Sequence, residues 1–234
     1  MTIETDEQAI ARLTIEPPVV HPESFTDFAA AKDVLHIAFF YMRINTNGAF
    51  VAERFFHRGT AGQPISPETN PDIPGSLGWY ARDMAGYGRI DEPDRDGRYE
   101  HLGYGLSGFQ FPRRYSYIVF YMDDVHWPYL EDPSGMPIVP FHAEKNGKQY
   151  AKHDFAFTKP SKFKIAMTSG GRVTEREALV MINCMRKANG DPFGQDDREE
   201  YCFDLVMRVR YAGSTDGLTV IIDPTGENLG PPIP

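Results

Sequence analysis

The sequence has only two cysteines, Cys184 and Cys202, among 234 residues. Small secreted folds that depend on disulfides normally carry more. The acidic beginning of the chain also has no apolar stretch of the kind that a secretory signal requires. We therefore expect both cysteines to be reduced thiols in a cytoplasmic protein. A disulfide would require the strands near residues 180 and 205 to pair, which is the less favoured alternative.

Long apolar runs and an excess of basic residues are also missing. No stretch reaches the roughly 20 uncharged apolar residues that cross a bilayer. The chain has 33 acidic and 24 basic side chains and a net charge of −9, whereas proteins that bind nucleic acids usually carry an excess of positive charge. Short basic clusters such as Arg113-Arg114 do not reverse this balance. We predict neither a membrane nor a nucleic acid as a partner.

The motifs of common enzyme families do not occur. The sequence contains no Rossmann or Walker glycine motif, no G-x-S-x-G, no H-E-x-x-H and no paired C-x-x-C. Residues 103–108 (GYGLSG) are rich in glycine, but their spacing is not that of a phosphate-binding loop. No serine or cysteine is tied to a histidine by a local pattern. We therefore predict no cofactor and name no covalent nucleophile.

Material for a core and a β-strand pattern are present. The composition is 41% hydrophobic and 13% aromatic, which is too apolar for a disordered chain. Apolar and β-branched residues are dense or alternate with period two in several segments, which predicts strands there. The predicted strands are 34–42, 115–123, 138–144, 148–158, 163–167, 201–211 and 218–222.

Two segments are ambiguous from their patterns. Residues 49–57 are compatible with a strand or with the beginning of a helix. In 177–187, Thr174 and Glu177 match the capping box of a helix, yet apolar residues on both sides of an alternating pattern suit a strand. We favour the strand for 177–187 because the neighbouring segments are strands.

Several strands separated by turn signals, without alternating helices, predict a mainly β fold, namely an antiparallel β-sandwich. We expect an extended arm over 1–32, a single domain over 33–224 and a tail over 225–234. Residues 59–114 are rich in glycine and proline and predict a long irregular insertion. Such insertions are often functional.

The aromatic residues of the insertion are candidates for a ligand pocket, because such pockets combine apolar walls with a few polar groups. The candidates for the walls are Trp79, Tyr80, Tyr104 and Phe109. Asp124 and His126 follow the strongest strand and are weak candidates for the polar groups or for general acid–base chemistry. Polar residues are also ordinary in the turn after a strand.

Asn146-Gly147 is a strong hairpin signal, and the hairpin would place His142, Glu144 and His153 on one face. Two histidines and a carboxylate suggest a metal site. However, Glu144 and His153 would lie about 13 Å apart along the strands, and a structural zinc site needs four ligands. We therefore predict that His142 and His153 do not hold a metal.

Two segments near the end carry a resemblance to known proteins. LTVIIDPTGENLGPP (218–232) and NGDPFG (189–194) resemble small bacterial proteins labelled "nucleotide synthetase". They are also loosely similar to the β-sandwich inclusion-body proteins, whose chains close on a strand ending in Asp-Pro. A synthetase that handles nucleotides should show a phosphate loop or an acidic metal site, and neither is clear in this sequence. No residue role is carried over from either group.

The abundance of strands and aromatic residues, without catalytic motifs, favours a non-enzymatic intracellular module that binds a protein partner or self-associates. The alternative is a small-molecule binder or an enzyme with a pocket under residues 59–114. A deep pocket with convergent polar groups there would favour the alternative.

Overall fold

The computed structural model describes Gln8, Val34, Phe157 and residues 36–57, 63–111, 116–150, 160–169, 171–183, 199–210 and 217–228. The strands are β1 (His36–Ile44), β2 (Phe50–His57), β3 (Glu100–Tyr104), β4 (Phe109–Phe111), β5 (Ser116–Met122), β6 (Glu144–Lys145), β7 (Lys148–Gln149), β8 (Ser161–Ser169), β9 (Arg172–Asn183), β10 (Glu199–Cys202), β11 (Leu205–Arg210), β12 (Gly217–Ile222) and β13 (Thr225–Asn228). The helices are α1 (Leu77–Gly88) and a 3₁₀ turn (Glu92–Asp94). The mainly β fold predicted from the sequence is confirmed.

A six-stranded sheet in the order β3-β2-β1-β5-β9-β8 forms the centre of the molecule. The apolar segment predicted as a strand buried on both sides is β1, in which residues 37–42 are all buried. The ambiguous residues 50–57 form a strand that returns antiparallel to β1. Residues 177–183 also form a strand, as favoured, within β9.

The antiparallel part of the prediction needs a correction, because β1 and β5 run parallel, as do β4 and β13. Parallel neighbours require a crossover of a dozen or more residues. The connection from β1 to β5 consists of β2 and the insertion that follows it. This insertion is less irregular than predicted, because it contains α1, β3 and β4.

Helix α1 covers one face of the sheet. It begins at Ser76, whose hydroxyl accepts a hydrogen bond from the backbone N–H of Trp79 at 3.0 Å. Ala81 and Met84 are fully buried against the sheet. Gly88 ends the helix against the ring of Tyr41, so closely that a Cβ atom on residue 88 would lie 2.6 Å from the ring. Within the described residues, no helix is long and apolar enough to cross a membrane.

The opposite face of the sheet packs against the shorter strands and the loops that join them. Phe40 and Phe120 of the sheet belong to the same buried cluster as Phe109, Phe203 and Met207. Two separate apolar clusters therefore lie on the two sides of the sheet. This arrangement explains why β1 and β5 are apolar at nearly every position.

Several predicted boundaries differ from the observed ones. The hairpin around Asn146-Gly147 has the predicted pairing of Glu144 with Gln149, but each strand is only two residues long. The backbone before the turn instead bonds to other strands, since the N–H of His142 donates to the carbonyl of Cys202. The segment predicted as one strand over 201–211 is interrupted between β10 and β11. Residues 225–228, predicted to be part of a tail, form β13.

Some predictions concern residues outside the described part of the chain. They include the arm over 1–32, Cys184, His153 and the NGDPFG loop. Cys202 is buried in β10. The thiol prediction and the prediction that His142 and His153 hold no metal therefore stay predictions.

Candidate functional site

A cleft of about 270 Å³ opens on the side of the sheet that faces away from α1. One side of the cleft is lined by Ala38 and Phe40 of β1 and by Arg54 of β2. Another side is lined by Phe109 and Gln110 of β4. The rings of Phe40 and Phe109 meet edge to face with centroids 4.6 Å apart. The cleft thus combines aromatic and aliphatic walls with a small number of polar groups.

Arg54 is the one charged side chain among the described residues that line this cleft. Its Nε atom is buried and has no hydrogen-bond partner, and Arg54 takes part in none of the ion pairs between described residues. Burial lowers the pKa of the Arg54 guanidinium. Partial burial of a cation without a neighbouring anion is unfavourable. A negatively charged group placed beside Arg54 would therefore be stabilised.

Gly103 of β3 allows Arg54 to adopt this position. It lies directly opposite Arg54 in the antiparallel pair β2–β3, and the register shifts beside it. A Cβ atom on residue 103 would lie 3.3 Å from the Nη2 atom of Arg54. The backbone φ of +99° at Gly103 also disfavours any other residue. The guanidinium group therefore extends across β3, towards the border of the sheet.

Arg95, which also lies near this part of β2, is paired with Glu53. Glu53 points to the α1 side of the sheet, where its Oε2 atom lies 2.9 Å from the Nη1 atom of Arg95. Only 3% of the Glu53 side chain and 7% of the Arg95 side chain are exposed. Arg95 also donates to the carbonyls of Gly88 and Ile90. These contacts of Arg95 stabilise the fold.

The four aromatic candidates from the sequence do not share one pocket. Phe109 lines the Arg54 cleft. Trp79 borders a different cavity of about 290 Å³ beside α1. The ring of Tyr80 packs against that of His57 in a tilted arrangement with centroids 4.2 Å apart, and Tyr104 is 56% exposed at the end of β3.

The polar candidates after β5 have a different arrangement from the predicted one. Asp124 accepts a hydrogen bond from the N–H of His126 at 2.8 Å, and both are part of a turn. Neither residue lines the two cavities. The convergent group is their neighbour Asp123, which accepts hydrogen bonds from Tyr41 at 2.6 Å and from the Nε atom of Arg89 at 2.8 Å.

Asp123 is the centre of a polar network at the ends of β1 and β5. Tyr121 also donates to it, at 3.1 Å, and Arg176 approaches to 3.4 Å. Burial raises the pKa of Asp123, but the hydrogen bonds from Arg89 and the tyrosines outweigh it, so this pKa lies below its ordinary value. Burial and Asp123 both raise the pKa of Tyr41. Every oxygen in the network is engaged, so it stabilises the fold.

A second polar cluster forms around His142. Its Nε2 atom lies 2.9 Å from an oxygen of Asp204, and the Nζ atom of Lys145 lies 3.2 Å from the other oxygen. Lys145 also pairs with Asp223. Within the described part of the chain, no group of three or more histidine, cysteine, aspartate or glutamate side chains is arranged to hold a metal ion.

Comparison with protein-family models, curated proteins and solved structures finds no match. The resemblance of the last residues to the "nucleotide synthetase" and inclusion-body proteins therefore stays a prediction. Sequence reasoning missed Arg54 and Asp204. For Arg54, the available signal was two adjacent charged residues, Glu53 and Arg54, within the apolar segment FVAERFF (50–56), since such charges are rarely buried without a partner.

Proposed function

We propose that the protein is a binding module for an anionic ligand, which it holds in the Arg54 cleft. The observation that carries this proposal is the guanidinium of Arg54, which has a buried Nε atom without a hydrogen-bond partner and no ion pair among the described residues. A carboxylate or a phosphate oxygen placed against it would receive charge-assisted hydrogen bonds, which are stronger than those between neutral groups. The ligand would thereby supply the missing negative charge.

The walls of the cleft indicate what else the ligand carries. Phe40, Phe109 and Leu102 offer aromatic and aliphatic surface, and the amide of Gln110 offers an NH2 group as donor and a carbonyl oxygen as acceptor. A cavity of about 270 Å³ is near the lower limit for small-molecule sites. An anionic group joined to a compact apolar group fits these properties better than a bare ion.

Binding is supported over catalysis by the residues of the cleft. Its described lining contains no carboxylate, histidine, cysteine or serine, which are the usual acids, bases and nucleophiles. The proposal keeps the sequence-based hypothesis of a non-enzymatic module as a hypothesis. The proposed cleft also has a feature of the alternative hypothesis, because residues of the 59–114 insertion form part of its lining.

Titration of the protein with phenylacetate, acetate and inorganic phosphate tests the proposal, with isothermal calorimetry and the thermal midpoint as readouts. We expect phenylacetate to bind more tightly than acetate, because it also fills the apolar wall. The variant Arg54→Ala should abolish both binding and the ligand-dependent increase in melting temperature. Arg82→Ala is the matched control, because Arg82 is a partly exposed arginine paired with Asp72 outside the cleft.

Equal binding by the Arg54→Ala variant and the unmodified protein would contradict the proposal. So would the absence of binding by all three anions. A loss of binding in the Arg82→Ala control would show that the effect depends on overall charge and not on the cleft.

A further inference from the structure

Strand β3 borders the Arg54 cleft and is the outermost strand of the central sheet among the described residues. Its exposed apolar side chains are Leu102, at 40%, and Tyr104, at 56%. Leu102 also lines the cleft. An edge strand presents unpaired backbone groups to which another strand can add, so the cleft and the open edge form one continuous surface.

The distances between strands determine how an added chain would meet Arg54. Neighbouring strands lie about 4.8 Å apart, so a strand added to β3 would lie about 9.6 Å from β2. Gly103 has no side chain, and Arg54 already extends over it. A glutamate of the added strand that lies opposite Gly103 would reach back over β3, and the two long side chains together cover this distance.

We propose that β3 accepts an extended acidic peptide as a seventh strand, with a glutamate of the peptide opposite Gly103 and paired with Arg54. The proposal rests on the proposed function, since it assigns the anionic group to a peptide. Side chains two residues before and after the glutamate lie on the same side of the strand. Apolar residues at these positions would contact Leu102 and Phe109. Backbone pairing would supply affinity and the side chains specificity.

A second copy of the protein is a poorer occupant of this edge. Two antiparallel β3 strands paired at Gly103 would bring the two Arg54 guanidinium groups towards each other across the seam. Facing like charges destabilise such a pair. The charge at the edge therefore favours an acidic partner over self-association.

The test uses fluorescently labelled, end-blocked peptides of sequence TVTETVT and TVTQTVT, with fluorescence anisotropy as the readout. We expect the glutamate peptide to bind at least about tenfold more tightly than the glutamine peptide. This preference should weaken as the salt concentration rises. Backbone amide exchange should slow most at the outward-facing amides of β3, whereas a ligand confined to the cleft would not protect these amides selectively.

A charge reversal excludes a merely structural role of Arg54. The variant Arg54→Glu should lose the TVTETVT peptide and gain preference for TVTKTVT, and Arg82→Glu should change neither. The variant Gly103→Ala, which would obstruct Arg54, should also weaken binding of the TVTETVT peptide. If this variant does not fold, the charge reversal at Arg54 still tests the proposal.

Equal binding of the glutamate and glutamine peptides would overturn the peptide proposal. If phenylacetate binds through Arg54 but no peptide binds, the peptide proposal fails and the anion-binding function stands. If neither binds, both fail. A dimer in sedimentation velocity that Arg54→Glu alters, without peptide binding, would identify a second copy as the occupant instead.

Discussion

Asp204 and Asp223 face each other across a gap in two long paired strands. Leu205 pairs with Ile222 on one side of the gap and Cys202 pairs with Thr225 on the other, so the register continues through it. Lys145 bridges the two carboxylates. The Asp204 side chain is 6% exposed and that of Asp223 is 51% exposed.

The pKa values of Asp204 and Asp223 are shifted in opposite directions. Burial, together with the hydrogen bond to Asp223, raises the pKa of Asp204. The hydrogen bond from Asp204 and the ammonium of Lys145 lower the pKa of Asp223. As the pH falls, Asp204 therefore takes up a proton before Asp223, and Asp223 keeps its negative charge to lower pH.

Opposite effects of pH on two asparagine variants follow from these shifts. Because the pKa of Asp204 is higher in the folded than in the unfolded state, its contribution to stability is complete below about pH 4 and is lost as the pH rises. The free energy of unfolding of Asp204→Asn, relative to the unmodified protein, should therefore increase from pH 4 to pH 7. Urea unfolding at each pH measures this difference.

Asp223→Asn should show the reverse trend. The pKa of Asp223 is depressed by folding, so its stabilising contribution is present above about pH 4 and is lost as the pH falls. The variant should be most destabilised near neutral pH and approach the unmodified protein in acid. The same slope for both variants would contradict the opposite pKa shifts of the two carboxyl groups.

Replacement of Arg54 by methionine should increase stability while it removes anion binding. Methionine keeps much of the length of the side chain and removes a desolvated charge that has no described partner. We expect the free energy of unfolding without ligand to rise by about 0.5–2 kcal/mol, as for other substitutions that relieve a functional strain. A fall in stability, measured by urea unfolding in buffer free of carboxylates and phosphate, would indicate that Arg54 has a structural partner.

Glu53→Gln should cost about 3–5 kcal/mol, because it leaves the buried charge of Arg95 without its counterion. Denaturant unfolding monitored by tryptophan fluorescence measures the loss. Glu175→Gln is the control, since Glu175 forms an exposed pair with Lys164, and such pairs contribute at most about 1 kcal/mol. Similar losses in both variants would contradict the structural role of the buried pair.

Asp123→Asn should destabilise the fold by roughly 1.5–3 kcal/mol, since a charged acceptor of hydrogen bonds from Arg89 and Tyr41 becomes neutral. The adjacent Asp124→Asn should have a much smaller effect, because Asp124 holds only its own turn. Thermal unfolding of the two variants side by side provides the comparison. A larger effect at Asp124 would restore it as the functional candidate of this segment.

Local sequence patterns were sufficient to predict strands with an uninterrupted run of buried residues and turns with characteristic residues. The apolar β1 and β5 are buried on both faces, and the Asn146-Gly147 turn sets its own pairing because both residues adopt positive φ, at 53° and 76°. Phe109, a sequence-based candidate for a pocket wall, lines the Arg54 cleft. In each case the information lies within a few consecutive residues.

The tertiary structure alone decided the direction of β5 beside β1 and the partners of the charged residues. Glu53 and Arg54 are adjacent in sequence, but the pleat places them on opposite faces of the sheet. One meets Arg95 from a turn 42 residues away, whereas the other extends over Gly103 into the cleft. Whether a charge is paired depends on contacts between distant segments, so the sequence could supply the two side chains but not their different roles.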